Sequence, residues 1–155
     1  MAVPRNFRLE RVLRLREQRE KELQGQLARI YQRQLEQETL LGRMDGQRRT
    51  QIEMIRDQLS APRVEMTYVQ FGTAYLDRLQ NLIDRQSNVV KLATRATDTK
   101  RVEVHQAMKA RKAIEKLREH WHDDLLEEDR QRDIKIVDEI STVQFLSLIH
   151  ISEPT

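Results

Sequence analysis

Prolines stand at positions 4, 62 and 154, and between them apolar residues return every seventh position for most of the chain. Proline lacks the N–H that a helix interior needs and clashes with the preceding turn. The chain can therefore form two long helices with a break near Pro62. In the first, one seam reads Leu9, Arg16, Leu23, Ile30, Gln37 and Met44, and the other reads Leu13, Glu20, Leu27, Gln34, Leu41, Arg48 and Ile55. Eight of these thirteen positions are apolar. So narrow a stripe suits a helix packed on one partner helix, since a globular core demands a wider apolar face.

Local signals place the boundaries. Residues 1–6 are expected as a flexible arm, with Asn6 capping a helix that opens at Phe7 and runs to about Gln58. Gly25, Gly42 and Gly46 fall inside it, each costing about 1 kcal/mol relative to alanine. The turn is expected over 59–66. Thr67 and Gln70 have the spacing of a capping box, and Met66 and Phe71 that of a hydrophobic staple. Helix 2 then spans about 67–141, with seams Tyr68, Tyr75, Leu82, Val89, Ala96, Glu103, Ala110, Leu117 and Leu79, Gln86, Ala93, Lys100, Ala107, Ile114, Trp121.

So short a break forces the second helix back along the first. The expected fold is all-α, an antiparallel two-helix coiled-coil hairpin in which helix 2 is longer than helix 1, making 7–145 a single domain. A turn near 62 makes facing residue numbers add to about 124, with Leu41 opposite Leu82 or Ile83 and Leu9 opposite Glu115. Sliding helix 1 by about 20 residues would match charge better, but exposed ion pairs contribute at most about 1 kcal/mol each. The last ten residues, 146–155, lack Arg, Lys and Gln and resemble translated adapter sequence, so they are expected to be a non-native tail.

Charge is unevenly laid out. Residues 1–63 carry 14 basic and 9 acidic side chains, whereas residues 64–145 carry 14 and 15. Residues 95–118 are mostly basic and 119–139 mostly acidic, which points to ends with different partners. Arg5, Arg8, Arg11 and Arg14 interrupt any signal-peptide core, and no segment is apolar enough to span a bilayer. The chain has no cysteine, so disulfides and thiolate metal sites are excluded.

No catalytic constellation emerges. His120 and His122 point to different sides of a helix and lack an i+4 partner for a metal. There is no glycine-rich phosphate loop, nucleophile elbow or paired-carboxylate pocket. The expectation is no enzyme activity, no metal and no cofactor. A nucleic-acid-binding helical hairpin is the alternative that the arginines suggest, although acids interleave with them and stacking aromatics are absent. Tyr68, Phe71, Tyr75 and Leu79 gather just after the turn, either to cement it or to form a partner-binding patch. Trp121 stands near the end of helix 1, where it could cover that end or anchor another protein.

Four stretches carry a family resemblance: FRLERVLRLRE from Phe7 to Glu17, YLDRL from Tyr75 to Leu79, ARKAIEKLRE from Ala110 to Glu119, and VDEI from Val137 to Ile140 ahead of Phe145. In order and spacing these resemble the flagellar export protein FliJ family over residues 7–145. The resemblance implies a soluble, stalk-like coiled coil of the flagellar type III export apparatus, similar to the rotary stalk of F-type and V-type ATPases. It implies as partners the hexameric export ATPase FliI, the export gate protein FlhA and export chaperones, with a cytoplasmic location, peripheral at the inner face of the cell membrane. A virulence-type injectisome stalk is the nearest alternative. By the same resemblance the gate-binding surface covers Leu41, Met44, Arg48, Tyr75, Leu79, Leu82 and Gln86, with Met44 and Arg48 standing where relatives often carry aromatics. The ATPase-facing surface covers Phe7, Arg8, Val12, Arg111, Lys112, Glu115, Leu117 and Trp121.

Overall fold

A computed structural model describes residues 2–152. Helix α1 spans Glu10–Leu59 and helix α2 spans Met66–Ser152, and no strand occurs among the described residues. The two form an antiparallel coiled-coil hairpin in which α2 is the longer helix.

The ends follow from backbone bookkeeping. The Phe7 carbonyl accepts the Glu10 N–H at 3.2 Å in a separate turn, so α1 starts at Glu10 rather than Phe7 and opens on an acidic side chain that suits the helix dipole. At the other end Ser60 N–H bonds to the carbonyls of Arg56 and Asp57 at 3.1 and 3.2 Å, which tightens the last turn before Pro62. Helix α2 begins at Met66, with the Glu65 carbonyl accepting the Val69 N–H at 3.3 Å. Thr67 therefore lies inside the first turn, and Glu65 takes the capping place. Met66 and Phe71 are both exposed, so no staple closes there. Helix α2 also runs past Ser141 to Ser152, because no glycine or proline lies between Gly72 and Pro154 to stop it.

Contacts divide the chain into two compact units, residues Arg19–Ala107 and the residues up to Gln18 together with those from Met108 onward. In the first of these, Leu23, Ile55, Leu79 and Ile83 form the apolar core, and Gln86 and Thr97 are buried polar members. Thr97 is wholly buried at 0% exposure, its hydroxyl donating to the Ala93 carbonyl at 3.1 Å. In the second unit Leu13 is buried.

Both predicted α1 seams are buried or half-buried along their length, with one exception: Arg16 is exposed and Glu17 takes the inward place. On α2 the seam through Leu79, Gln86, Ala93, Lys100, Ala107, Ile114 and Trp121 also faces inward. Its companion is displaced by one residue over the middle of the helix: Val69, Leu76, Ile83, Val90, Thr97, Val104 and Arg111 are buried or half-buried, whereas Tyr75, Leu82, Val89, Ala96 and Leu117 are exposed and only Tyr68, Glu103 and Ala110 of the expected seam stay half-buried. Either row stands three or four residues from the Leu79 row and is compatible with a heptad. Apolar residues at both 75 and 76, 82 and 83, and 89 and 90 leave the sequence pattern unable to choose between them.

Register follows from the pairs that meet. Within Arg19–Ala107, Gln37 meets Gln86, Gln26 meets Lys100 and Arg48 meets Gln80, with residue numbers adding to 123, 126 and 128. In the other unit Glu10 meets Arg118, adding to 128, about one helical turn from the expected 124. Each unit thus keeps the register set by the turn and seams, and the 20-residue slide is not taken.

One glycine is structural. A Cβ on Gly72 would lie 2.9 Å from Gln51 Nε2 and 2.9 Å from Ile55 Cδ1, so the helices approach closely there because no side chain intervenes. Gly25, Gly42 and Gly46 meet nothing within 4 Å.

Candidate partner-binding surfaces

The seven residues implied for gate contact all lie within Arg19–Ala107, and the structure sorts them into three kinds: buried, half-buried and exposed. Leu79 and Gln86 are buried in the seam. The Gln86 amide donates to both the backbone carbonyl and the side-chain oxygen of Gln37, at 3.2 and 2.9 Å. Leu41 and Met44 are half-buried, and Leu41 lines an open groove of about 440 Å³ with Glu38, Gly42, Asp45, Ile83, Asp84 and Ser87. Arg48 is fixed by two groups: its Nη2 donates to Asp45 at 2.8 Å and its Nη1 to Gln80 Oε1 at 3.0 Å, while Arg49 holds the other oxygen of Asp45 at 2.6 Å.

Tyr75 and Leu82 are the accessible members, 46% and 48% exposed. Phe71, 74% exposed, precedes Tyr75 by one helical turn, and Val89 follows Leu82 by two. These four form a partly exposed apolar row along the flank of α2, beside the inward-facing Leu79 row. Phe71 was absent from the implied gate set. Its signal was available in the sequence, since it stands four residues before Tyr75.

The eight residues implied for ATPase contact lie in the other unit. Phe7 and Trp121 pack ring against ring, centroids 5.7 Å apart and planes tilted by 42°. The Trp121 indole N–H donates to the Pro4 carbonyl at 2.7 Å, and the Val3 N–H donates to the Glu128 carboxylate at 2.7 Å. The segment expected as a flexible arm is thus held against α2. Arg111 pairs with Glu115 one turn along, while Arg8, Val12, Lys112 and Leu117 are exposed. Trp121 also lines an open groove of about 520 Å³ with Glu115, Arg118, Glu119, His122 and Asp123.

Two carboxylates in this unit titrate below their ordinary range. Glu127 is lowered by hydrogen bonds from Arg130 and then Gln131, and Glu128 by the Val3 N–H and then by Arg132. Arg130 is raised in turn by Glu127. These are surface contacts, made within α2 except for the one that Val3 brings from the far end of the chain. Among the described residues no cluster of three His, Asp or Glu side chains could hold a metal, and no helix is long and apolar enough to cross a membrane.

The fold defines a helical-hairpin protein, a two-helix coiled coil with a partly exposed apolar row and open surface grooves. Comparison with protein families makes the assignment specific. The family described as flagellar FliJ protein matches residues 5–147, and the chain belongs to it. It is accordingly a flagellar export-related protein. Neither the curated proteins nor the solved structures provide a match.

Proposed function

We propose that this protein is a non-enzymatic, stalk-like component of the flagellar type III export apparatus, joining the export ATPase FliI to the export gate protein FlhA and escorting export chaperones. It acts on the cytoplasmic side, peripheral to the inner face of the cell membrane. Family membership supports the apparatus, and the partly exposed row Phe71, Tyr75, Leu82 and Val89 is the observation that carries a partner-binding role. Clustered aromatic and aliphatic side chains that the hairpin leaves in water gain most from burial against a partner.

Tyr75 and Leu82 serve as the gate contact, with Leu41 and Met44 at its margin and Arg48 oriented by Asp45 and Gln80. Leu79 and Gln86 act indirectly, by holding α2 in register. The ATPase contact uses the exposed Arg8, Val12, Lys112 and Leu117 around the packed pair Phe7 and Trp121. Function is then mechanical and allosteric, with no chemistry of its own.

The test is capture and turnover with the purified ATPase and gate, comparing the intact chain with one lacking residues 119–145. The intact chain should capture both, promote ATPase ring assembly and raise hydrolysis, and the shortened chain should retain gate capture while losing the effect on the ATPase. Unchanged turnover together with unchanged ATPase oligomer size by light scattering would refute the ATPase role.

A further inference from the structure

Helix α2 carries a row of exposed charges whose order is its own complement. Lys109, Lys112 and Lys116 are followed on the same face by Glu119, Asp123 and Glu127, at spacings of three and four residues. Most charged neighbours on this helix neutralise one another locally, as Arg101 does with Asp98, Arg111 with Glu115 and Arg132 with Glu128. Glu127 is partly satisfied in this way by Arg130 at 2.9 Å. The other five make no ion pair among the described residues, because most of their neighbours three and four positions away on the face share their sign. Like charges at such spacing repel along a helix.

We propose that this face docks a second copy of the same chain, α2 against α2 in antiparallel orientation about a two-fold axis between Leu117 and Arg118. In that arrangement Lys116 meets Glu119 of the other copy, Lys112 meets Asp123 and Lys109 meets Glu127, at residue numbers adding to 235, 235 and 236. The symmetry operation forms each pair twice. A parallel copy in the same register would set lysine against lysine, so the charge order selects the antiparallel one. All six side chains are exposed, and none is needed to hold α1. The inference does not rest on the export role, but it shares Lys112 with the ATPase contact proposed above, so the two uses of this face exclude one another.

Sedimentation velocity of the full chain at about 20 mM and about 500 mM NaCl tests this, since screening shortens from tens of ångströms to a few across that range. The wild-type chain should dimerise at low salt and dissociate at high salt. Two triple variants, K109E/K112E/K116E and E119K/D123K/E127K, should each weaken self-association by at least about tenfold, yet form a one-to-one heterodimer when mixed, because one face is then wholly acidic and the other wholly basic. Circular dichroism verifies that both remain helical. A wild-type chain that stays monomeric at low salt overturns the proposal, as does a dimer indifferent to the triple substitutions or a mixture that does not pair.

Discussion

The indole N–H of Trp121 donates to the backbone carbonyl of Pro4 at 2.7 Å, across 117 residues of chain. Around it Phe7 packs on the same indole and Val3 hydrogen-bonds to Glu128, so residues 3–7 lie as a strap along α2. Three contacts of different kinds fix one short segment. A proline whose ring cannot donate still offers its carbonyl, and tryptophan is a donor only, so the two are chemically matched.

The strap should release in acid. The Val3 N–H, with Arg132, holds the Glu128 carboxyl below its ordinary range. A depressed carboxylate contributes its stabilisation above the ordinary glutamate range and loses it as pH falls through the lowered value. Trp121 is the sole tryptophan, so its fluorescence reports the strap directly. Emission should stay constant from neutral pH down through the ordinary carboxylate range and shift toward the red below it. Glu128→Ala should give the red-shifted spectrum at neutral pH, and a wild-type spectrum from that variant would show that the strap does not depend on Glu128.

Glycine substitutions should divide by position. At Gly72 a new side chain collides with Gln51 and Ile55, so Gly72→Val should destabilise the hairpin by about 1–3 kcal/mol. Gly42→Ala and Gly46→Ala enter open space within α1 and should each stabilise by about 0.5–1 kcal/mol. Urea unfolding followed by circular dichroism measures all three.

Much of this fold was legible because its determinants are local and repetitive. Pro62 marked the turn, the Leu13 and Leu79 rows marked the inward faces, and the short break required an antiparallel return. The companion row on α2 was not legible, because Tyr75 and Leu76, like Leu82 and Ile83, are both apolar, and only the rotation of α2 against α1 decides which turns inward. That choice decides the candidate site as well: it leaves Tyr75 and Leu82 accessible beside Phe71, which the aromatic cluster after the turn had already brought forward. Gly72 escaped notice for a related reason, since a glycine's role in close approach depends on what stands across from it. The strap was missed because Val3 and Pro4 have no periodic pattern to read.

The Gln37 and Gln86 pair should behave as a unit. Gln37→Leu leaves the buried Gln86 amide only its bond to the Gln37 backbone carbonyl and should cost about 0.5–1.5 kcal/mol. The double change Gln37→Leu with Gln86→Leu removes both polar groups and should be neutral or stabilising by comparison. A single polar layer also fixes register in a coiled coil at some cost in stability. Cysteine pairs placed to cross-link only in a register shifted by seven residues should therefore react in the double variant and stay silent in the wild type.

Buried and exposed members of the gate-facing set should separate stability from binding. Leu79→Ala empties a position in the core beside Ile83 and should cost about 2–3 kcal/mol, lowering gate capture only as far as the hairpin unfolds. Tyr75→Ala and Leu82→Ala remove side chains that water already reaches, and each should change stability by no more than about 0.5 kcal/mol. If the exposed row binds the gate, these two should nonetheless weaken capture by about tenfold or more, since a buried aromatic or aliphatic anchor in an interface carries upwards of about 1 kcal/mol. Measuring unfolding and capture on the same three variants decides the matter: equal losses of capture and stability across all three would mean that the row only supports the fold, whereas capture lost at full stability in Tyr75→Ala and Leu82→Ala assigns the row to the partner.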